Sequence, residues 1–81
     1  MVVYLVNHEW DIEGTKGSKT WVFGTLEDAE NFQKERVNYI VHNYDKKDYE
    51  TEITKKNNFI RINVVDADRV ESVSLNQHPV M

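Results

Sequence analysis

His8 is the side chain in this sequence best suited to move a proton or hold a metal. It stands beside two carboxylates in Asn7-His8-Glu9-Trp10-Asp11. A histidine so placed suits general-base or metal chemistry, but a metal site needs at least a third ligand. No such ligand is indicated elsewhere in the chain, so a packing or surface histidine is the simpler reading. His42 and Asp45 lie three positions apart near an expected helix end. A cation there is favoured by the helix dipole without any function. His78 precedes Pro79 and joins no motif. There is no His-Glu-x-x-His, no nucleophile elbow and no evident carboxylate pair. The residues therefore predict no enzyme, no catalytic residue, no metal ligand and no cofactor.

Gly14-Thr15-Lys16-Gly17-Ser18-Lys19-Thr20 has the composition of a phosphate loop but not its spacing. Aligned on Lys19-Thr20, Ser18 and Glu13 stand where the two glycines should be. A phosphate loop also opens a helix, whereas this segment leads into a strand. It reads as a flexible loop. His8, Trp10 and Gly14–Gly17 together form the alternative reading, a small-ligand or enzyme module.

The aromatic residues suggest binding instead. Tyr4, Trp10, Trp21, Phe23 and Tyr49 all fall on expected strands or their ends. Successive strand positions point to opposite faces. Tyr4 and Trp10 are thus opposed to Leu5, and Trp21 and Phe23 to Val22. One set is expected to reach an uncovered sheet face, where Trp and Tyr are common interface anchors. Phe32, Arg36 and Tyr39 form a helix flank in which Arg36 can stack on rings. These eight residues are the candidate interface. Asp45, Asp48, Glu50 and Glu52 form a candidate acidic patch, read either as a solvated strand edge or as an acidic nucleic-acid mimic. Lys46, Lys47, Lys55 and Lys56 dilute it.

The elements that must position these residues follow from pattern and composition. The chain has 81 residues, 40% hydrophobic and 30% charged, which suits one globular domain. Its core must be thin, so self-association would help it. The net charge of −4 argues against direct nucleic-acid binding. No apolar run approaches a membrane span, and the apolar start lacks a basic leader, so a cytoplasmic location is expected. With no cysteine, disulfides and thiolate zinc sites are excluded.

Val2 to about Glu9 is apolar at both parities, as an interior strand would be. Asp11–Lys19 reads as a mobile loop, and Thr20–Phe23 as a second strand. Gly24 ends it, and Thr25 is an N-cap with Asp28 three residues on. Leu26, Ala29, Val37, Ile40 and Tyr44 share one helical stripe, interrupted by Gln33. The helix is expected from Leu26 to about His42, with Asn43 as a left-handed C-cap. Tyr49–Lys55 alternates like a half-exposed edge strand. Lys56-Asn57-Asn58 is a hairpin turn, and Phe59–Val65 a further strand. Val70–Leu75 reads as a short fifth strand, and residues 76–81 as a tail beyond a domain of residues 1–75. The prediction is α+β: a two-layer sandwich with a mostly antiparallel sheet of four or five strands and one helix on one face.

Over the first half, Tyr4-Leu5-Val6-Asn7-His8 followed by Trp21-Val22-Phe23-Gly24-Thr25-Leu26-Glu27-Asp28-Ala29 resembles small bacterial and phage proteins. These show a strand, a polar loop, a strand ending in glycine and a Thr-x-Glu-Asp-Ala helix start. The resemblance implies no activity and no site residues. Low alanine and proline with abundant lysine, asparagine and isoleucine suit an AT-rich genome. The resulting expectation is a non-enzymatic protein-interaction module. A concrete version is a phage or mobile-element accessory protein that inhibits a host defence protein. It would act on a protein partner or its own copy.

Overall fold

The computed structural model describes residues 1–80. Five strands and one helix follow in the order β1 (Val2–Ile12), β2 (Thr15–Phe23), α1 (Leu26–Asp45), β3 (Thr51–Lys56), β4 (Phe59–Val64) and β5 (Arg69–Pro79). The strands form one open sheet in the order β2-β1-β5-β4-β3. Every neighbouring pair is antiparallel. The helix lies on one face, so the fold is the expected α+β arrangement. Among the described residues no helix is long and apolar enough to cross a membrane.

The first hairpin differs from the sequence reading. β1 continues to Ile12 and β2 begins at Thr15, so the expected mobile loop is mostly paired strand. Only Glu13 and Gly14 turn the chain, both with positive φ (53° and 87°). Two such residues suit the twist of a hairpin, and glycine takes this conformation without a Cβ penalty. Polar composition concealed a strand here, because β2 lies at the sheet edge and needs few apolar side chains. Interior strand β1 is apolar at both parities, as expected.

The last strand also runs further than expected. β5 extends to Pro79, with Val2 opposite Pro79 and Val3 opposite His78. The Val80 N–H donates to the Met1 carbonyl at 3.0 Å. Most of the expected tail is thus ladder held by β1; Met81 lies outside the described residues. Polar residues 76–78 gave no apolar signal, but backbone pairing needs none.

Thr25 caps α1 as expected: its Oγ1 accepts the Asp28 N–H at 3.2 Å. The helix runs through Asn43 to Asp45, and the Lys46 N–H closes it on the His42 carbonyl at 3.0 Å. The left-handed residue is instead Asp48, in the turn before β3. Gln33, the interruption in the apolar stripe, is buried and donates to the carbonyls of Asn58 and Val73 (3.0 and 3.1 Å). The core joins Val6, Ala29, Val37, Ile40, Tyr44, Ile60, Ile62, Val64, Val73 and Leu75.

Which sheet face the helix covers decides where the aromatics go. Val6 is fully buried, and the register sets Val6 against Trp21 and Tyr4 against Phe23 on the same face. Phe32 of α1 meets both rings, at 4.8 Å from Trp21 and 5.1 Å from Phe23. The expected aromatic display on the uncovered face is therefore corrected: these rings lie on the helix side. Val22, 64% exposed, points to the other face. That face is largely polar, and Asn7 there accepts from Thr20 and donates to Glu9, both at 2.8 Å. A sheet face whose side chains bond one another and water needs no second layer.

Candidate functional site

β1 and β5 bring His8 and Glu71 together, although they are far apart in sequence. Trp10 and Glu71 are register partners, and so are His8 and Val73. Both side chains thus rise from neighbouring rows on the helix side. His8 Nε2 lies 2.7 Å from Glu71 Oε1, and the Tyr44 hydroxyl of α1 donates to Glu71 Oε2. All three residues are buried. The Arg36 Nε–H donates to His8 Nδ1 at 3.3 Å.

This geometry fixes the proton positions. Nδ1 accepts, so Nε2 carries the ring hydrogen and donates it to Glu71. His8 therefore bridges a guanidinium and a carboxylate. Burial pushes the Glu71 carboxyl upward, but hydrogen bonds from His8 and Tyr44, with nearby positive charge, outweigh it and hold it below the ordinary value. Burial, with the hydrogen bond to Glu71, pushes the Tyr44 hydroxyl well above its ordinary value. Both imidazole nitrogens are engaged, so His8 presents no free nitrogen to an incoming substrate. Among the described residues no group of three His, Asp or Glu side chains is placed to hold a metal. Glu9 and Asp11, which suggested chemistry at His8, are not its partners.

Arg36 connects this buried chain to the surface. Its guanidinium lies 5.0 Å from the Trp21 ring centre and 4.9 Å from that of Tyr39. Lys19 places its Nζ 5.7 Å from the same Trp21 ring. Among the described residues the ion pairs are His8–Glu71 and Arg69–Glu13, so neither Arg36 nor Lys19 has a carboxylate partner. Arg36, Trp21 and Phe32 are half-buried, and Tyr39 is 56% exposed. The flank of α1 thus runs beside edge strand β2 as a row of rings carrying two cations.

Seven of the eight candidate interface residues lie on this side, and five of them, Trp21, Phe23, Phe32, Arg36 and Tyr39, are linked through ring contacts. Tyr4 and Phe23 stand at one end of the row as register partners. Trp10 stands at the other, its ring edge-on to His8 at 5.2 Å and folded over Gly17. Tyr49 is apart: it packs on Tyr44 at 6.0 Å, beneath Arg69. The acidic patch lies at the far end of α1 and along edge strand β3, with Asp45, Asp48, Glu50 and Glu52 all exposed.

The ligand alternative divides. Trp10, Lys16 and Gly17 line an open concavity of about 460 Å³ with Glu9, Asp11, Ser18, Val70 and Ser72. His8 does not reach it. His8 lines a smaller cleft of about 180 Å³ with Tyr39, Asn43, Lys47 and Arg69. Gly14 lines neither of the two.

Glu71 is the residue of this buried cluster that the sequence reading did not single out. Its signal was present: Glu71, Val73 and Leu75 share a parity, which puts a carboxylate in a buried row. A buried carboxylate demands donors, and His8 shares the parity of Val6 on β1. Comparisons with protein-family models, curated proteins and solved structures find no match for this chain.

Proposed function

We propose that this protein is a non-enzymatic interaction module that docks a protein partner where α1 runs beside β2. The supporting observation is Arg36, which packs on Trp21 and Tyr39 and has no ion-pair partner among the described residues. Half-exposed Trp, Tyr and Arg in one row are the side chains that dominate protein interfaces. Gripping of Arg36 by two rings and His8 lowers the entropy lost when a partner binds. Inhibition of a host protein by a phage accessory factor is one concrete form of this reading.

Affinity capture from cells that encode the protein tests it, with two neighbouring variants. Trp21→Ala removes a ring from the flank, whereas Val22→Ala changes only the opposite face. Loss of the partner with Trp21→Ala and retention with Val22→Ala supports the flank. The reverse pattern, or no partner at all, rejects it. The open concavity at Trp10 and Gly17 favours a second reading, a small-ligand site. Thermal shifts with nucleotides and metal ions test it, since a ligand that binds only the folded state must raise Tm.

A further inference from the structure

We propose that the partner contributes an extended acidic segment that adds to the free edge of β2 and sets a carboxylate over Trp21 between Arg36 and Lys19. The inference rests on the docking reading above and specifies the chemistry of the partner. Among the described residues β2 pairs only with β1, so its other edge carries unpaired backbone groups. Such an edge is a template for another strand. β2 carries Lys16 and Lys19 and no acidic residue, in a chain whose net charge is −4.

Lysines on an edge strand also serve to discourage aggregation. Arg36 is the observation that this explanation does not cover. Its Nε is used by His8, its guanidinium packs near the Trp21 and Tyr39 rings, and among the described residues no carboxylate forms an ion pair with it. A guanidinium so placed is prearranged for a carboxylate, and Lys19 at the same ring supplies a second cation. Alternate side chains of an added strand would point toward this row, which matches the period of an extended segment. The other free edge is less suited, because β3 mixes Glu52 with Lys55 and Lys56. A second copy paired edge to edge is also disfavoured, since β2 against β2 sets side by side two strands whose only charges are lysines.

Backbone-amide NMR of the full chain, titrated with three blocked peptides, tests the inference. The peptides alternate valine with glutamate, glutamine or lysine. The glutamate peptide is expected to shift the amides of β2 and the Trp21 indole N–H, and to weaken as salt rises. Arg36→Gln and the exposed Lys19→Gln are each expected to weaken binding roughly tenfold. Lys19→Gln touches no buried group, so it remains informative if Arg36→Gln unfolds. Equal binding of the glutamine peptide overturns the carboxylate assignment while leaving the flank as the docking surface. Shifts confined to β3 or to the face of Val22 overturn both. Equal shifts of the Trp21 indole with acetate or inorganic phosphate, without β2 amide shifts, overturn strand addition. No shift at millimolar peptide also overturns the inference.

Discussion

His8 donates from Nε2 to Glu71 across 2.7 Å, joining the first strand to the last and leaving Nδ1 to receive Arg36. The bond is therefore both part of the core and the inner support of the aromatic flank. His8→Ala is expected to cost roughly 2–4 kcal/mol, because Glu71 stays buried with a donor lost. It should also release Arg36 from its hydrogen bond to Nδ1. Urea unfolding measures the first effect. The second appears as reduced partner capture by a variant that is still folded under the conditions used. Unchanged stability would show that Glu71 finds another donor.

Stability should fall at both ends of the pH scale, for opposite reasons. Glu71 is held below its ordinary value of 4.5, so the unfolded chain binds its proton more readily. Its contribution is full above that value and is lost as pH falls through the folded pKa. Tyr44 is raised above its ordinary 10.0, so its contribution is full below 10.0 and declines as pH climbs past it. Glu71→Gln should flatten the acid limb and Tyr44→Phe the alkaline limb, read as urea midpoints against pH. Limbs that do not change in these variants would assign the pH dependence to other groups.

Gly17 gives the Trp10 ring its resting place. A Cβ built there would lie 2.4 Å from the ring. Gly17→Ala should swing Trp10 outward, break its edge contact with His8 and cost about 1 kcal/mol, at the low end for overpacking because the ring is only half-buried. Tryptophan emission should shift to the red. An unshifted spectrum and unchanged unfolding midpoint would mean that the strand yields instead.

Gln33 is expected to resist replacement by an apolar residue, although it interrupts an apolar stripe. Gln33→Leu removes the donor to Asn58 and Val73 carbonyls and should destabilise by about 1–2 kcal/mol. A gain in stability would show that the side chain is tolerated rather than used.

Glu13→Asn is expected to stabilise the first hairpin by about 0.5 kcal/mol, since asparagine accepts the positive φ of 53° more readily than glutamate. The lost contact to Arg69 is 3.6 Å long and its Glu13 end is mostly exposed, so it offsets little. Thermal unfolding of the pair measures the difference.

Local patterns carried by neighbouring residues were legible in the sequence. Thr25 and Asp28 marked the start of α1, the stripe from Ala29 to Tyr44 gave its buried face, and alternation marked Ile60, Ile62 and Val64 as one face of β4. Adjacent chemistry misled at both ends of the first hairpin. The glycines and lysines of Gly14–Thr20 suggested a mobile loop, yet backbone pairing with β1 holds them, and a ladder is indifferent to polar side chains. Glu9 beside His8 looked like its partner, but neighbours in a strand point to opposite faces. By itself the sequence determined which elements exist, but not how far β1, β2 and β5 run, because helix caps and periodicity act over a few residues and polar strand ends leave no such signal. Only the tertiary structure decided that β5 lies between β1 and β4, that His8 therefore meets Glu71, and that the helix covers the face of Trp21. Strand order and the covered face depend on how distant apolar rows close on one another, and no local window contains both partners of that choice.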